Sequence, residues 1–140
     1  MTAPSSTIAF KTPAKVNLGL YILGKREDGF HELETLFQMV NWYDEIKIEC
    51  LGDGLDLICN QPDIPNDDGN LVIKAARLLQ TRFPDRCKGA RIHLKKNIPH
   101  GAGLGGGSGN AAGTLLGLNF LWGLKLKRED LILMASELGS

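Results

Sequence analysis

The 140-residue chain has no excess charge of either sign, since Lys+Arg and Asp+Glu each number 16. Such a balance leaves no global field to draw it onto nucleic acid or an anionic membrane, so any phosphate affinity must be local. No apolar run approaches the roughly 18 residues that a membrane-spanning helix needs. Residues 1–15 also lack the apolar centre of a secretory signal. Cysteine is sparse, and Cys50, Cys59 and Cys87 show neither a C-x-x-C pair nor another metal spacing. That favours reduced thiols and assigns no metal ligand. These absences predict a cytoplasmic protein with neither nucleic acid nor membrane as a partner, and they assign no oligomeric state. No internal repeat or second linker is found, so one core and one domain are predicted.

Glycine, by contrast, is concentrated: six of the nine residues from Gly101 to Gly109 are glycine. A strand-like run, Ala90–Leu94, precedes this stretch and an apolar helix pattern follows it. Glycine has no Cβ to hold a ligand off the backbone and accepts positive φ at little cost. Successive N–H groups can then turn toward one centre, helped by the unpaired N–H groups and positive dipole end of the next helix. Such a concavity suits phosphate. A flexible linker is the plainer reading, but linkers seldom run so directly into a helix. Two other phosphate motifs lack their confirming context. The P-loop needs Lys-Ser or Lys-Thr after its last glycine, where this chain has Ser108-Gly109-Asn110. Gly101, Gly103 and Gly106 match the dinucleotide fingerprint, but the acidic residues about 20 positions on, Glu129 and Asp130, open a helix pattern instead of ending a strand.

Residues 1–6 read as a disordered lead-in. Alternation predicts strands over Ile8–Thr12, Val16–Lys25, Leu33–Val40 and Asp44–Leu51, with Asp28-Gly29 as a turn. Gly52-Asp53-Gly54 predicts a hairpin to a strand at Leu55–Cys59. Gln61–Gly69, rich in Pro, Asn and Asp, is a loop. A helix is predicted from about Asn70 to Arg82, with Leu71, Ala75, Leu78 and Leu79 on its inner face. Strand Ala90–Lys95 leads into the glycines, with His93 facing away from Ile92 and Leu94, and Lys95 and Lys96 solvating the strand end. Asn110 is read as the N-cap of a helix striped by Ala111, Leu115, Leu118 and Trp122. A final helix spans Lys127–Leu138. Strands precede helices without strict alternation, so the class is α+β.

The order Pro99-His100-Gly101-Ala102-Gly103-Leu104-Gly105-Gly106-Gly107-Ser108 resembles the ATP loop of the superfamily named for galactokinase, homoserine kinase, mevalonate kinase and phosphomevalonate kinase. Within it, Pro13-Ala14-Lys15-Val16-Asn17-Leu18, Asp28-Gly29-Phe30-His31-Glu32-Leu33, Glu34-Thr35-Leu36-Phe37-Gln38 and Asn70–Leu79 resemble the 4-diphosphocytidyl-2-C-methyl-D-erythritol kinase family. The resemblance covers residues 8–140. It implies the N-terminal kinase domain over residues 7–140, similar to ribosomal protein S5 domain 2, without the C-terminal domain. It also implies phosphorylation of the 2-hydroxyl of a cytidine-diphosphate-linked methylerythritol, with ATP and Mg2+, in non-mevalonate isoprenoid synthesis. The acceptor could instead be mevalonate or homoserine, although Phe30, His31 and Phe37 belong to the cytidyl-binding block. A nucleotide-binding piece without catalysis is the reading from a different class.

Phosphoryl transfer needs positioning and charge neutralisation. Pro99, His100, Gly101, Ala102, Gly103, Leu104, Gly105, Gly106, Gly107, Ser108 and Gly109 would form the cradle, and Ser108 suits a phosphate oxygen or magnesium. Lys15 on its own is a solvated lysine; the resemblance implies an active-centre cation beside the acceptor hydroxyl. Asn17, two residues on, would contact the substrate. Phe30 alone reads as core and His31 as surface; the resemblance implies stacking on cytosine and a hydrogen bond to it. Phe30 replaces the family's usual tyrosine, which keeps stacking worth about 1–3 kcal/mol but loses a hydroxyl contact. Gly109 replaces a usual serine and removes a donor. The family's catalytic aspartate would directly follow Gly139-Ser140, so this piece alone is expected to be nearly silent.

Overall fold

The computed structural model describes residues 7–25, 31–99 and 104–138. Its four strands are β1 (Thr7–Lys25), β2 (His31–Leu51), β3 (Gly54–Cys59) and β4 (Gly89–Lys95), and its helices are α1 (Leu71–Arg82), α2 (Gly106–Leu121) and α3 (Arg128–Glu137). The class is α+β, as the order of the elements predicts.

The strands predicted at Ile8–Thr12 and Val16–Lys25 are one strand, β1, and those at Leu33–Val40 and Asp44–Leu51 are likewise one, β2. Pro13 does not end β1 because β1 is the sheet edge, where a missing N–H is tolerated. The register shifts at that point. Pro13 pairs with Tyr43 and Ala14 with Val40, so β2 accommodates Asn41 and Trp42 as extra residues.

The hairpin expected at Gly52-Asp53-Gly54 is not formed. The strand order is β1-β2-β4-β3, and β4 lies between the two strands that this turn joins. β4 runs antiparallel to β2 and parallel to β3, with α1 as the crossover. Leu51 and Gly54 both pair with Gly89, so the turn passes over the start of β4. A Cβ at Gly89 would lie 2.5 Å from the Asp53 carbonyl carbon, and glycine is what permits the crossing. A tight turn between two alternating strands says nothing about whether a third strand will pair between them.

One sheet face is buried and the other solvated. Ile46 and Ile48 of β2, Leu57 of β3 and Ala90, Ile92 and Leu94 of β4 point into the core. On the opposite face Lys95 pairs with Glu45 at 3.4 Å, His93 with Glu49 at 3.1 Å and Arg91 with Asp56 at 3.3 Å. Exposed pairs of this kind contribute little to stability, about 0–1 kcal/mol each. They fix which face is wet.

The helices cover the apolar face. α1 buries Val72, Ile73, Ala75, Ala76 and Leu79, a stripe at helical spacing. Leu71 and Leu78, expected on that face, are half-buried, because Val72 and Ala76 take the central positions. Asn70 is the N-cap, accepting a 2.9 Å bond from the Val72 N–H and donating to the Pro65 carbonyl. α2 packs Ala111, Leu115 and Leu118 inward, and α3 adds Leu131 and Met134. Among the described residues no helix is long and apolar enough to cross a membrane.

Candidate phosphate site

β4 hands the chain through Lys96–Pro99 to the glycines, and α2 begins at Gly106. The helix therefore starts inside the glycine run, earlier than expected, and Gly106, Gly107, Ser108 and Gly109 are its first turn. The first α-helical bond runs from the Gly109 N–H to the Gly105 carbonyl at 3.0 Å. The N–H groups of Gly106, Gly107 and Ser108 precede it, in the turn whose N–H groups an α-helix does not itself pair. No acidic residue occupies this turn, whereas Glu129 and Asp130 occupy the first turn of α3. The positive end of the α2 dipole is thus uncompensated by its own sequence.

Asn110 is not the N-cap. That position is Gly105, in the left-handed region at φ 70°, with no side-chain cap. Asn110 lies one turn inside the helix and is buried. The glycines pull the helix start forward, so a residue read as flanking becomes interior.

Lys15 meets the turn directly. Its backbone N–H donates a 2.9 Å bond to the Leu104 carbonyl, on the outer edge of β1. Its side chain runs along Gly105, where a Cβ would lie 2.6 Å from Lys15 Cε and 3.0 Å from Cγ. A cationic side chain and the amino end of α2 are therefore brought together from opposite ends of the sequence. A cleft of about 740 Å³ opens here, with Lys15, Gly105, Ser108 and Gly109 in its wall. It continues along α2 past Leu116, with Phe10 of β1 opposite. In the Lys15–Ser108 part a cationic side chain and the amino end of α2 meet, and these groups suit an anion.

Behind the turn lies a buried polar cluster. Lys96, expected to solvate the strand end, is only 5% exposed, and its Nζ is 2.6 Å from Oδ2 of fully buried Asp44. Nζ also donates to Asn110 Oδ1 at 3.0 Å. Asn110 Nδ2 donates to Thr12 Oγ1 at 2.8 Å and to Asp44 Oδ2 at 3.0 Å. Asp44 Oδ1 accepts from the N–H groups of Asn97 and Ile98 at 2.7 and 2.9 Å. Among the described residues no buried side-chain nitrogen or oxygen lacks a partner. The strand alternation that sends Ala90, Ile92 and Leu94 inward continues to Lys96, which explains its burial.

Burial pushes the Asp44 carboxyl up, but donation from Ile98, Lys96, Asn97 and Asn110 outweighs it, and the pKa falls below the ordinary 3.8. A depressed folded pKa contributes stability that is present above the unfolded value and lost as pH falls through the folded one. Melting temperature is expected to hold from neutrality to about pH 5 and to fall below about pH 4. Asp44→Asn with Lys96→Met, which removes the carboxylate without stranding the ammonium, is expected to flatten that acid limb, and an unchanged limb would contradict the assignment.

The remaining predicted residues are less fully placed. Pro99 is exposed. His100, Gly101, Ala102, Gly103 and Phe30 lie outside the described residues. The β1 register runs unbroken from Lys15 to Asn17, and His31 opens β2 opposite Lys25. Among the described residues a Cβ at Gly109 would meet only Pro13 O at 3.7 Å and Thr12 Cβ at 3.9 Å, so a serine would fit. Among the described residues no group of three His, Cys, Asp or Glu could hold a metal.

The sequence profile for the GHMP kinases N terminal domain matches residues 70–140. A 4-diphosphocytidyl-2-C-methyl-D-erythritol kinase from a strain of Prochlorococcus marinus is 50% identical over 137 residues, which are 97% of this chain and 43% of the relative. One from Chloroherpeton thalassium is 50% identical over 127 residues, 91% of this chain and 44% of the relative. A crystal structure of 4-(cytidine 5'-diphospho)-2C-methyl-D-erythritol kinase superposes with a TM-score of 0.78 at 40% identity, covering 95% of this chain and 46% of that one. The chain spans less than half the length of these relatives.

Proposed function

Since the chain belongs to the GHMP kinase family through its N-terminal domain, we propose that it forms the ATP-binding half of a kinase that phosphorylates 4-diphosphocytidyl-2-C-methyl-D-erythritol. The 2-hydroxyl oxygen of the acceptor attacks the γ-phosphorus of ATP in line, the bond from that phosphorus to the β,γ-bridging oxygen breaks, the hydroxyl proton is released and ADP leaves. The observation that carries this reading is the docking of Lys15 against Gly105 at the amino end of α2. The names of relatives at 50% identity support the choice of acceptor.

Residues Pro99 to Gly109 cradle the phosphates, with the N–H groups of Gly106, Gly107 and Ser108 as donors. Lys15 neutralises charge developing on the transferred group. Asn17 contacts the acceptor, Phe30 stacks on its cytosine and His31 hydrogen-bonds the base. Magnesium bound with the nucleotide would neutralise phosphate charge. The hydroxyl of Ser108, a hard oxygen donor in the cleft wall, fits such an ion. The site of action is the cytoplasm.

The test is acceptor competition by the full-length protein with ATP. Phosphorylation of the cytidine-diphosphate-linked acceptor is expected, with homoserine and mevalonate at least about a hundredfold poorer in kcat/KM, since an acceptor that leaves the cytidyl contacts empty loses several interactions at once. Preference for either small acceptor would overturn the assignment. ATP binding without transfer to any of them would mark a binding module.

A further inference from the structure

We infer that Asp44 is a positioning residue that ties both flanks of the glycine turn to the sheet. Its two carboxylate oxygens divide the task. Oδ1 takes the N–H groups of Asn97 and Ile98, on the chain entering the turn, at 2.7 and 2.9 Å. Oδ2 takes Asn110 Nδ2, on the helix leaving it, at 3.0 Å, and Lys96 Nζ at 2.6 Å. One rigid group on β2 thus fixes the two ends of a loop whose glycines carry little stiffness of their own.

The chemistry allows only this arrangement of donors. An ammonium donates only and a carboxylate accepts only, so the Asn110 amide must turn its oxygen to Lys96 and its nitrogen to Asp44. Its nitrogen also reaches Thr12 Oγ1, and Thr12 is the β1 residue paired with Asp44. β1 is the strand that carries Lys15. The cluster therefore sets α2 against the strand bearing the cation, as well as against the incoming chain. Lys96 Nζ lies where a Cβ of Gly106 would come within 2.7 Å, so the pair sits directly behind the first residue of α2. Asp44 and Lys96 together are neutral. Their role is geometric, and they leave the net charge lining the cleft unchanged.

The link to nucleotide binding rests on the kinase reading, but the tie itself does not, and the experiment separates them. Asp44→Asn alone strands a buried ammonium and can fail to fold, so two charge-free double variants are compared in the full-length protein. Asp44→Leu with Lys96→Met removes both carboxylate oxygens that hold the flanks. Asp44→Asn with Lys96→Met is equally uncharged but keeps an oxygen for Asn97 and Ile98. Amide hydrogen exchange at residues 104–109 and ADP affinity are measured in both. The leucine variant is expected to raise exchange there at least about tenfold and weaken ADP at least about tenfold. The asparagine variant is expected to stay within about threefold of the parent. Equal behaviour of the two variants, or faster exchange spread evenly through α1 and β4, would overturn the inference. Failure of the parent to bind ADP, with the exchange pattern as expected, would sink the kinase reading and leave the tie standing.

Discussion

Gly105→Ala is expected to weaken ATP binding at least about a hundredfold while the domain stays folded. Two costs coincide at this position. The residue sits at φ 70°, where a side chain costs about 1–2 kcal/mol. The added Cβ would also stand 2.6 Å from Lys15 Cε, inside any tolerable contact. Either the lysine leaves or the turn opens, and each outcome separates the cation from the α2 amides. Gly107→Ala is the matched control. Among the described residues its Cβ would meet only Leu71 Cδ1, at an ordinary 3.8 Å, so affinity is expected within about threefold of the parent. Calorimetric titration with a non-hydrolysable ATP analogue reads both, and equal losses would show that glycine content alone, and not this contact, governs binding.

Lys15→Met is expected to lower kcat of the full-length protein about 10²–10³-fold, the range seen when one preorganised stabiliser of transition-state charge is removed. Methionine keeps an unbranched stem to lie along Gly105, so the melting temperature should barely move. The loss should fall on kcat more than on ATP affinity, because the backbone N–H bond from residue 15 to Leu104 survives the change. Stopped-flow or coupled assays at saturating ATP would measure it. A kcat within about tenfold of the parent would remove Lys15 from the reaction.

Much of this arrangement was legible in the chain, and the parts that were not share a cause. The glycine run and its neighbours signalled a turn entering a helix, because glycine, alternation and helical spacing are all local signals. Pairing is not local. Nothing in Gly52-Asp53-Gly54 reveals that β4 will insert between β2 and β3. The helix start was misplaced because Gly106 and Gly107 look like loop residues, and only the bonds they make show them to be helical.

The buried cluster was missed for a different reason, since its signal was present. In β2, Ile46 and Ile48 face inward, and one further step of two reaches Asp44. In β4, Ala90, Ile92 and Leu94 face inward, and one further step reaches Lys96. Both strands therefore place a charge of opposite sign on the core face just past their apolar run. Charged residues at strand ends are usually solvated, and that prior hid the pair. Two such extensions meeting across neighbouring strands would have pointed to it.

The most direct measurement is a crystal structure of the full-length protein with a non-hydrolysable ATP analogue. Phosphate oxygens are expected within about 3 Å of the N–H groups of Gly106, Gly107 and Ser108, with Lys15 Nζ at the terminal phosphate. A triphosphate bound elsewhere, such as against Lys47, Arg91 and Lys95 on the solvated face of the sheet, would contradict the assignment of this turn as the phosphate site.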